Sequence, residues 1–203
     1  ADPKQQKQLT TLTDKAQMIS TLIHIANLSR FGATTAYHGV YIPSLKFVLP
    51  QCFFNTTALM KAERKTTSLI VSKCGYNRNT ALALRYAPLH HAGCGFIRWQ
   101  TLQGEGQITL FLKHWRTESI ISRVLRIAIA WCQWQAGLSN SILHDTKTPL
   151  PHLSSRWITS LRGFLRSISA KLRLKKPMVV PPERTDDIYI MEFAIRSNAF
   201  TTN

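Results

Sequence analysis

The run LTTLTDKAQMISTLIHIA, residues 9–26, decides the fold class. Leu9, Leu12, Ala16, Ile19, Leu22, Ile23 and Ala26 recur at steps of three and four, which stacks them on one face of a helix; a strand would need strict alternation. Gly32, which enters the left-handed conformation without steric cost, is the expected stop. The same spacing returns on the C-terminal side. Ala36, Val40, Tyr41, Leu45 and Val48 mark a second segment over residues 34–49, which Pro43 is expected to kink or interrupt. Asn55 is placed to cap a third helix that runs through Leu59, Met60, Ala62, Leu69 and Ile70 to Gly75.

Beyond a turn-rich patch at residues 74–80, a short helical stretch reaches Ala87 and is closed by Pro88. Ala92-Gly93-Cys94-Gly95-Phe96 is a small-residue turn that lets backbones approach closely. Helical spacing resumes over residues 107–114 and 118–135. In the second of these Ile120, Ile121, Val124, Leu125, Ala128, Trp131 and Cys132 share one apolar stripe, with Arg123 and Arg126 off it. Pro149 and Pro151 mark a linker. A last amphipathic helix is expected over residues 155–174, with Trp157, Leu161, Phe164, Leu165, Ile168 and Leu172 on one face. Pro177, Pro181 and Pro182 then break it, leaving a mixed tail. No repeat of fixed period is present. The expected architecture is all-α: a helical bundle over residues 4–87, further amphipathic helices over 88–176, and a tail over 177–203.

Charge narrows the function. Twenty-six Lys and Arg face ten Asp and Glu, a formal net charge of +16 over 203 residues. Such an excess repels itself in a compact fold unless a polyanion screens it, and nucleic acid is the commonest polyanion, with an anionic membrane surface second. The 44 % of apolar residues argues against disorder throughout. The longest uncharged run, residues 127–144, is interrupted by Gln133, Gln135, Gly137, Ser139 and Asn140, too polar to span a bilayer. Cys52, Cys74, Cys94 and Cys132 form no CxxC pair, which suits reduced thiols inside a cell, nuclear or cytoplasmic, better than a secreted disulfide framework. Ala1-Asp2-Pro3 shows neither Met nor a leader pattern, so the chain reads as a piece of a longer polypeptide.

Three blocks carry a resemblance. Residues 41–50, YIPSLKFVLP, are similar to a "Y-x-P-S-x-x-Y-x-L-P" stretch of LINE-type (non-LTR) retroelement reverse transcriptases. Residues 73–80, KCGYNRNT, resemble their "K-x-G-Y-N-R-N-T" block. Residues 88–96, PLHHAGCGF, resemble their "P-x-x-x-G-G-L-G-L" turn, with Ala92 in place of the first glycine and Cys94 in place of the leucine. Gln103-Gly104 and the basic Phe111-Leu112-Lys113-His114 follow in order. The resemblance covers roughly residues 9–193. It implies a thumb-like and post-thumb helical region, downstream of a catalytic palm in the same parent polypeptide, that grips a primer–template duplex.

A polymerase needs carboxylates that hold two metal ions. Asp2, Asp14, Asp145 and the pair Asp186-Asp187 lack the Tyr-x-Asp-Asp setting, so no catalytic residue is assigned, and Mg2+ belongs to the parent polymerase rather than to this chain. His90, His91 and Cys94 fall short of the four donors of a structural zinc site, so no metal ligand is assigned either. The residues assigned to RNA or DNA, largely without sequence preference, are Lys73, Arg78, Asn79, Arg85, Arg123 and Arg126. Arg78 is expected at a phosphate, with Asn79 capping the next helix. Further basic faces are Lys61, Arg64 and Lys65, and Arg156, Arg162, Arg166 and residues 171–176. Trp99, Trp115, Trp131, Trp134 and Trp157 have the ring faces to stack on bases, yet most are expected in the core. Two alternatives stand beside this reading: an interfacial membrane helix over residues 156–176 with Trp157 as its anchor, and a degenerate retroelement fragment with no present function.

Overall fold

The computed structural model describes residues 3–138 and 141–174. Of these, 68 % are helical and none is in a strand, so the fold is all-α. The helices are α1 (Pro3–Ile25), α2 (Arg30–Ala36), α3 (Ile42–Lys46), α4 (Thr56–Lys73), α5 (Leu82–Tyr86), α6 (Trp99–Arg116), α7 (Ile120–Ala136) and α8 (Arg156–Ser167). They form two compact units that divide between Gln107 and Ile108, inside α6. The break expected at 87/88 lies within the first unit. There the amides of Cys94, Gly95 and Phe96 donate to the carbonyls of Leu84, Ala87 and Arg85, tying the turn to α5.

In the first unit, α1 lies against α4. Leu12, Ala16, Ser20 and Ile23 meet the buried face of α4 made by Leu59, Ala62, Thr66, Ile70 and Val71. α1 stops at Ile25, well before Gly32. Ser29 starts α2 by accepting the Gly32 amide on its hydroxyl at 3.0 Å, so the glycine sits in a first turn instead of ending a helix. Pro43 does not break its segment. A π turn over Tyr37–Tyr41 precedes it, in which the Ile42 amide donates to the Tyr37 carbonyl, and the extra residue per turn leads into an α3 whose first turn accepts a proline. The turn aims both tyrosines inward. Tyr41 bonds the Thr66 hydroxyl at 2.7 Å, and the Tyr37 hydroxyl accepts the Ile97 amide at 2.9 Å. Asn55 caps α4 by accepting the Thr57 amide. α6 begins at Trp99, eight positions before the expected start, and its early turns are held by buried amides. Gln103 pairs with both the N–H and the carbonyl of Phe54, and Gln107 donates to the Cys52 carbonyl.

In the second unit Phe111, Trp115, Ile129, Cys132, Ile142, Leu143, Ile158, Leu161 and Leu165 form the core. Ser119 caps α7 and Gly137, in the left-handed region, ends it. The stripe expected in α7 meets the core only in part, through buried Cys132 and through Leu125 and Ala128, which pack against it. Ser122, Ile129, Cys132, Gln133 and Ala136 are buried, while Ile120, Ile121, Val124 and Trp131 face outward. The segment around Pro149 and Pro151 is packed loop, since Leu150 and Leu153 join the core. α8 ends at Ser167, short of the expected 174. Ser169 is left-handed, its amide donates to Arg166 and that of Ala170 to Leu165, the double bond of a Schellman stop. The expected tail over 177–203 lies outside the described residues.

Candidate nucleic-acid interface

The basic residues divide by what α4 and its C-terminal turn do with them. Steps of three and four place Lys61, Arg64, Lys65, Ser68 and Ser72 on the side of α4 opposite its core face, over about 16 Å at 1.5 Å per residue. Lys61, Arg64 and Lys65 are exposed. The acid within α4, Glu63, points the other way and is 3 % exposed. The outward face therefore carries positive charge without an internal counter-charge.

The Cys74–Thr80 turn adds one cation. α4 closes with a Schellman stop in which Gly75, at φ +86°, lets the Tyr76 amide reach the Val71 carbonyl and the Gly75 amide reach Ser72. Asn77 then folds back, its side-chain oxygen accepting the Asn79 amide at 2.8 Å. This geometry returns Arg78 to α4, where its Nε donates to the Ser72 hydroxyl at 2.8 Å while the residue stays exposed. Lys61, Arg64, Lys65 and Arg78 thus lie along one helix.

The other assigned residues separate from that row. Lys73 is half-buried in the last turn of α4, off the outward face. Asn79 is exposed but caps nothing; the cap position of α5 is Ala81, without a side-chain bond. Arg85 is 8 % exposed, and its Nη2 donates to the Arg78 carbonyl, so it props the turn from inside. Arg123 and Arg126 belong to the second unit. Arg123 is exposed, whereas Arg126 reaches the Trp115 carbonyl and lies over that ring at 5.7 Å. Lys61, Arg64 and Lys65 were legible only as a basic run; what raises them above it is the inward turn of Glu63.

α8 offers less free charge than its composition suggests. Arg162 is buried and donates to the carbonyls of Ile142, Asp145 and Thr148, and Arg166 to those of Thr146, Lys147 and Thr148. Burial lowers the pKa of Arg162, with Arg166 adding to the effect and Asp145 opposing it. The two planar forks pin the 142–148 loop, a task for which a lysine has too few fixed donors.

Asp145 accepts from the Lys147 and Thr148 amides and from the Thr148 hydroxyl, and that hydroxyl bond is the main cause of its lowered pKa. Burial raises the pKa of Glu63, against the pull of Tyr86, the Trp99 amide, Arg98 and Arg85. Asp186 and Asp187 lie outside the described residues. No group of three His, Cys, Asp or Glu is placed to hold a metal among the described residues. Of the five tryptophans, Trp99 and Trp115 are in the cores, and Trp131 is the exposed one. No described helix is long and apolar enough to cross a membrane. The chain matches no protein-family model, no curated protein and no solved structure.

Proposed function

We propose that this chain is a non-catalytic nucleic-acid-binding region of a retroelement-type reverse transcriptase, acting inside the cell and gripping the phosphate backbone of RNA or DNA. The observation that carries the reading is the outward row of α4, where Lys61, Arg64, Lys65 and Arg78 line up and the helix's own acid is turned into the core. A row of cations about 16 Å long is long enough to meet more than one phosphate of a duplex, whose charge density is one per ~1.7 Å of helix axis. Base contacts are not part of the proposal, so sequence preference is small. The catalytic carboxylates and their Mg2+ belong in this reading to a preceding palm domain of the parent polypeptide. Docking on a membrane through residues 156–176 has little to support it, because Ile158, Leu161, Phe164 and Leu165 of α8 are spent in the core.

Titration with random-sequence duplex at rising salt tests the proposal. Binding at low salt is expected to weaken steeply, with a log–log slope of about −0.9 per phosphate neutralised. Replacing Lys61, Arg64 and Lys65 together by Ala should flatten the slope by about 2 to 3 units, and Arg78→Ala by about 1. An unchanged slope in the triple variant would remove the basis of the assignment.

A further inference from the structure

We propose that the outward face of α7 is a docking seam for a second amphipathic helix whose apolar stripe is flanked by carboxylates. α7 is apolar on both sides. Ile129, Cys132 and Ala136 are buried in the core, yet on the opposite side Ile120 is 80 % exposed, Ile127 69 %, Val124 60 % and Trp131 49 %. A helix apolar all round is ordinarily covered all round. One exposed aliphatic residue needs no explanation, but an unbroken row does.

The spacing says what covers it. Ile120, Val124, Ile127, Trp131 and Trp134 follow one another at steps of four, three, four and three, the 3.5-residue repeat that a neighbouring helix reads. The seam is about 21 Å long at 1.5 Å per residue. Trp134 closes it by stacking on Trp131, with ring centroids 4.9 Å apart. Ala130 flanks Ile127, and this low shoulder admits a helix backbone at the middle of the row. A lipid surface requires neither register nor shoulders.

Charge selects the kind of helix. α7 contains no Asp or Glu, and exposed Arg123 borders the seam beside Ile120 and Ile127. A second copy of this chain brings another formal +16 and is repelled, as is any basic partner. Carboxylates along the flank of the incoming helix meet Arg123 and the surrounding positive field. One seam of this length makes a small interface, which belongs to the weak, exchanging class of complexes.

The full chain is titrated with a Trp-free amphipathic peptide of about three heptads, Leu along its stripe and Glu on its flanks, and with a Lys-flanked counterpart. The Glu-flanked peptide is expected to shift the emission of Trp131 to the blue. Val124→Asn with Ile127→Asn, neutral changes at exposed positions, should weaken it about tenfold or more with helicity and melting unchanged, and Ile127→Leu should preserve it. The Lys-flanked peptide should bind about tenfold or more weakly at ~0.1 M salt. Equal binding by the Asn variant would overturn the proposal, since attraction would then be general to the basic surface. Self-association abolished by the same two changes would replace the partner with a second copy. An equal shift with phosphatidylserine vesicles, lost in the Asn variant, would replace it with lipid.

Discussion

Ala92 and Ser169 are the described non-glycine residues with positive φ, both at 55°. Each ends a helical turn, and each is exposed, so its side chain has little packing to lose. An L-residue in this region carries a steric cost that glycine escapes, offset in part by glycine's greater freedom in the unfolded chain. Ala92→Gly and Ser169→Gly are each expected to stabilise by about 0.5–1 kcal/mol, measured by denaturant titration; a destabilisation by either would contradict the left-handed assignment. Glu63 supplies a pH test. Its pKa is raised above the ordinary 4.5, chiefly by burial, so the folded state holds its proton more tightly than the unfolded state. Its contribution to stability is then greatest below pH 4.5 and is lost as pH rises through the folded value. Glu63→Gln should melt higher than the parent chain at neutral pH, with the gap closing as pH falls; a gap that widens in acid would reverse the sign.

Among the elements, α6 is placed by close approach as much as by apolar burial. A Cβ built on Gly106 falls 2.2 Å from Cγ of Pro50, the last residue of the 41–50 block. Alanine is the better helix former by about 1 kcal/mol, so an isolated helix would gain from the exchange. Here the methyl forces α6 and the Pro50 turn apart, and Gly106→Ala is expected to cost about 1–3 kcal/mol by thermal or denaturant unfolding. Stabilisation by that change would mean the contact yields freely. The cap Asn55 was legible because capping is local: an oxygen one position before a helix meets an amide two positions on. The end of α8 was not, because Ser169 is an uncommon left-handed residue and nothing in Ser167-Ile168-Ser169 announces it.

At the scale of the whole molecule, the isolated chain is expected to show no primer extension with Mg2+ or Mn2+, since its sequence carries no Tyr-x-Asp-Asp motif. Extension by pure protein, abolished by Asp186→Ala, would overturn the non-catalytic reading. Two features were determined by the sequence alone: the all-α class, because three-and-four spacing is a property of each segment by itself, and the positive excess, because charge adds up without regard to fold. Tertiary structure decided which face of each helix is free. Spacing shows that apolar residues share a face but not that the face meets a core, so α7 buries Ile129 and Cys132 and leaves Ile120 and Val124 outside. Arginines reach across the chain, so whether one holds a loop carbonyl or faces solvent depends on residues far away in sequence. Arg85 and Arg162 turn inward, while Arg78 is brought back to Ser72 beside Lys61, Arg64 and Lys65.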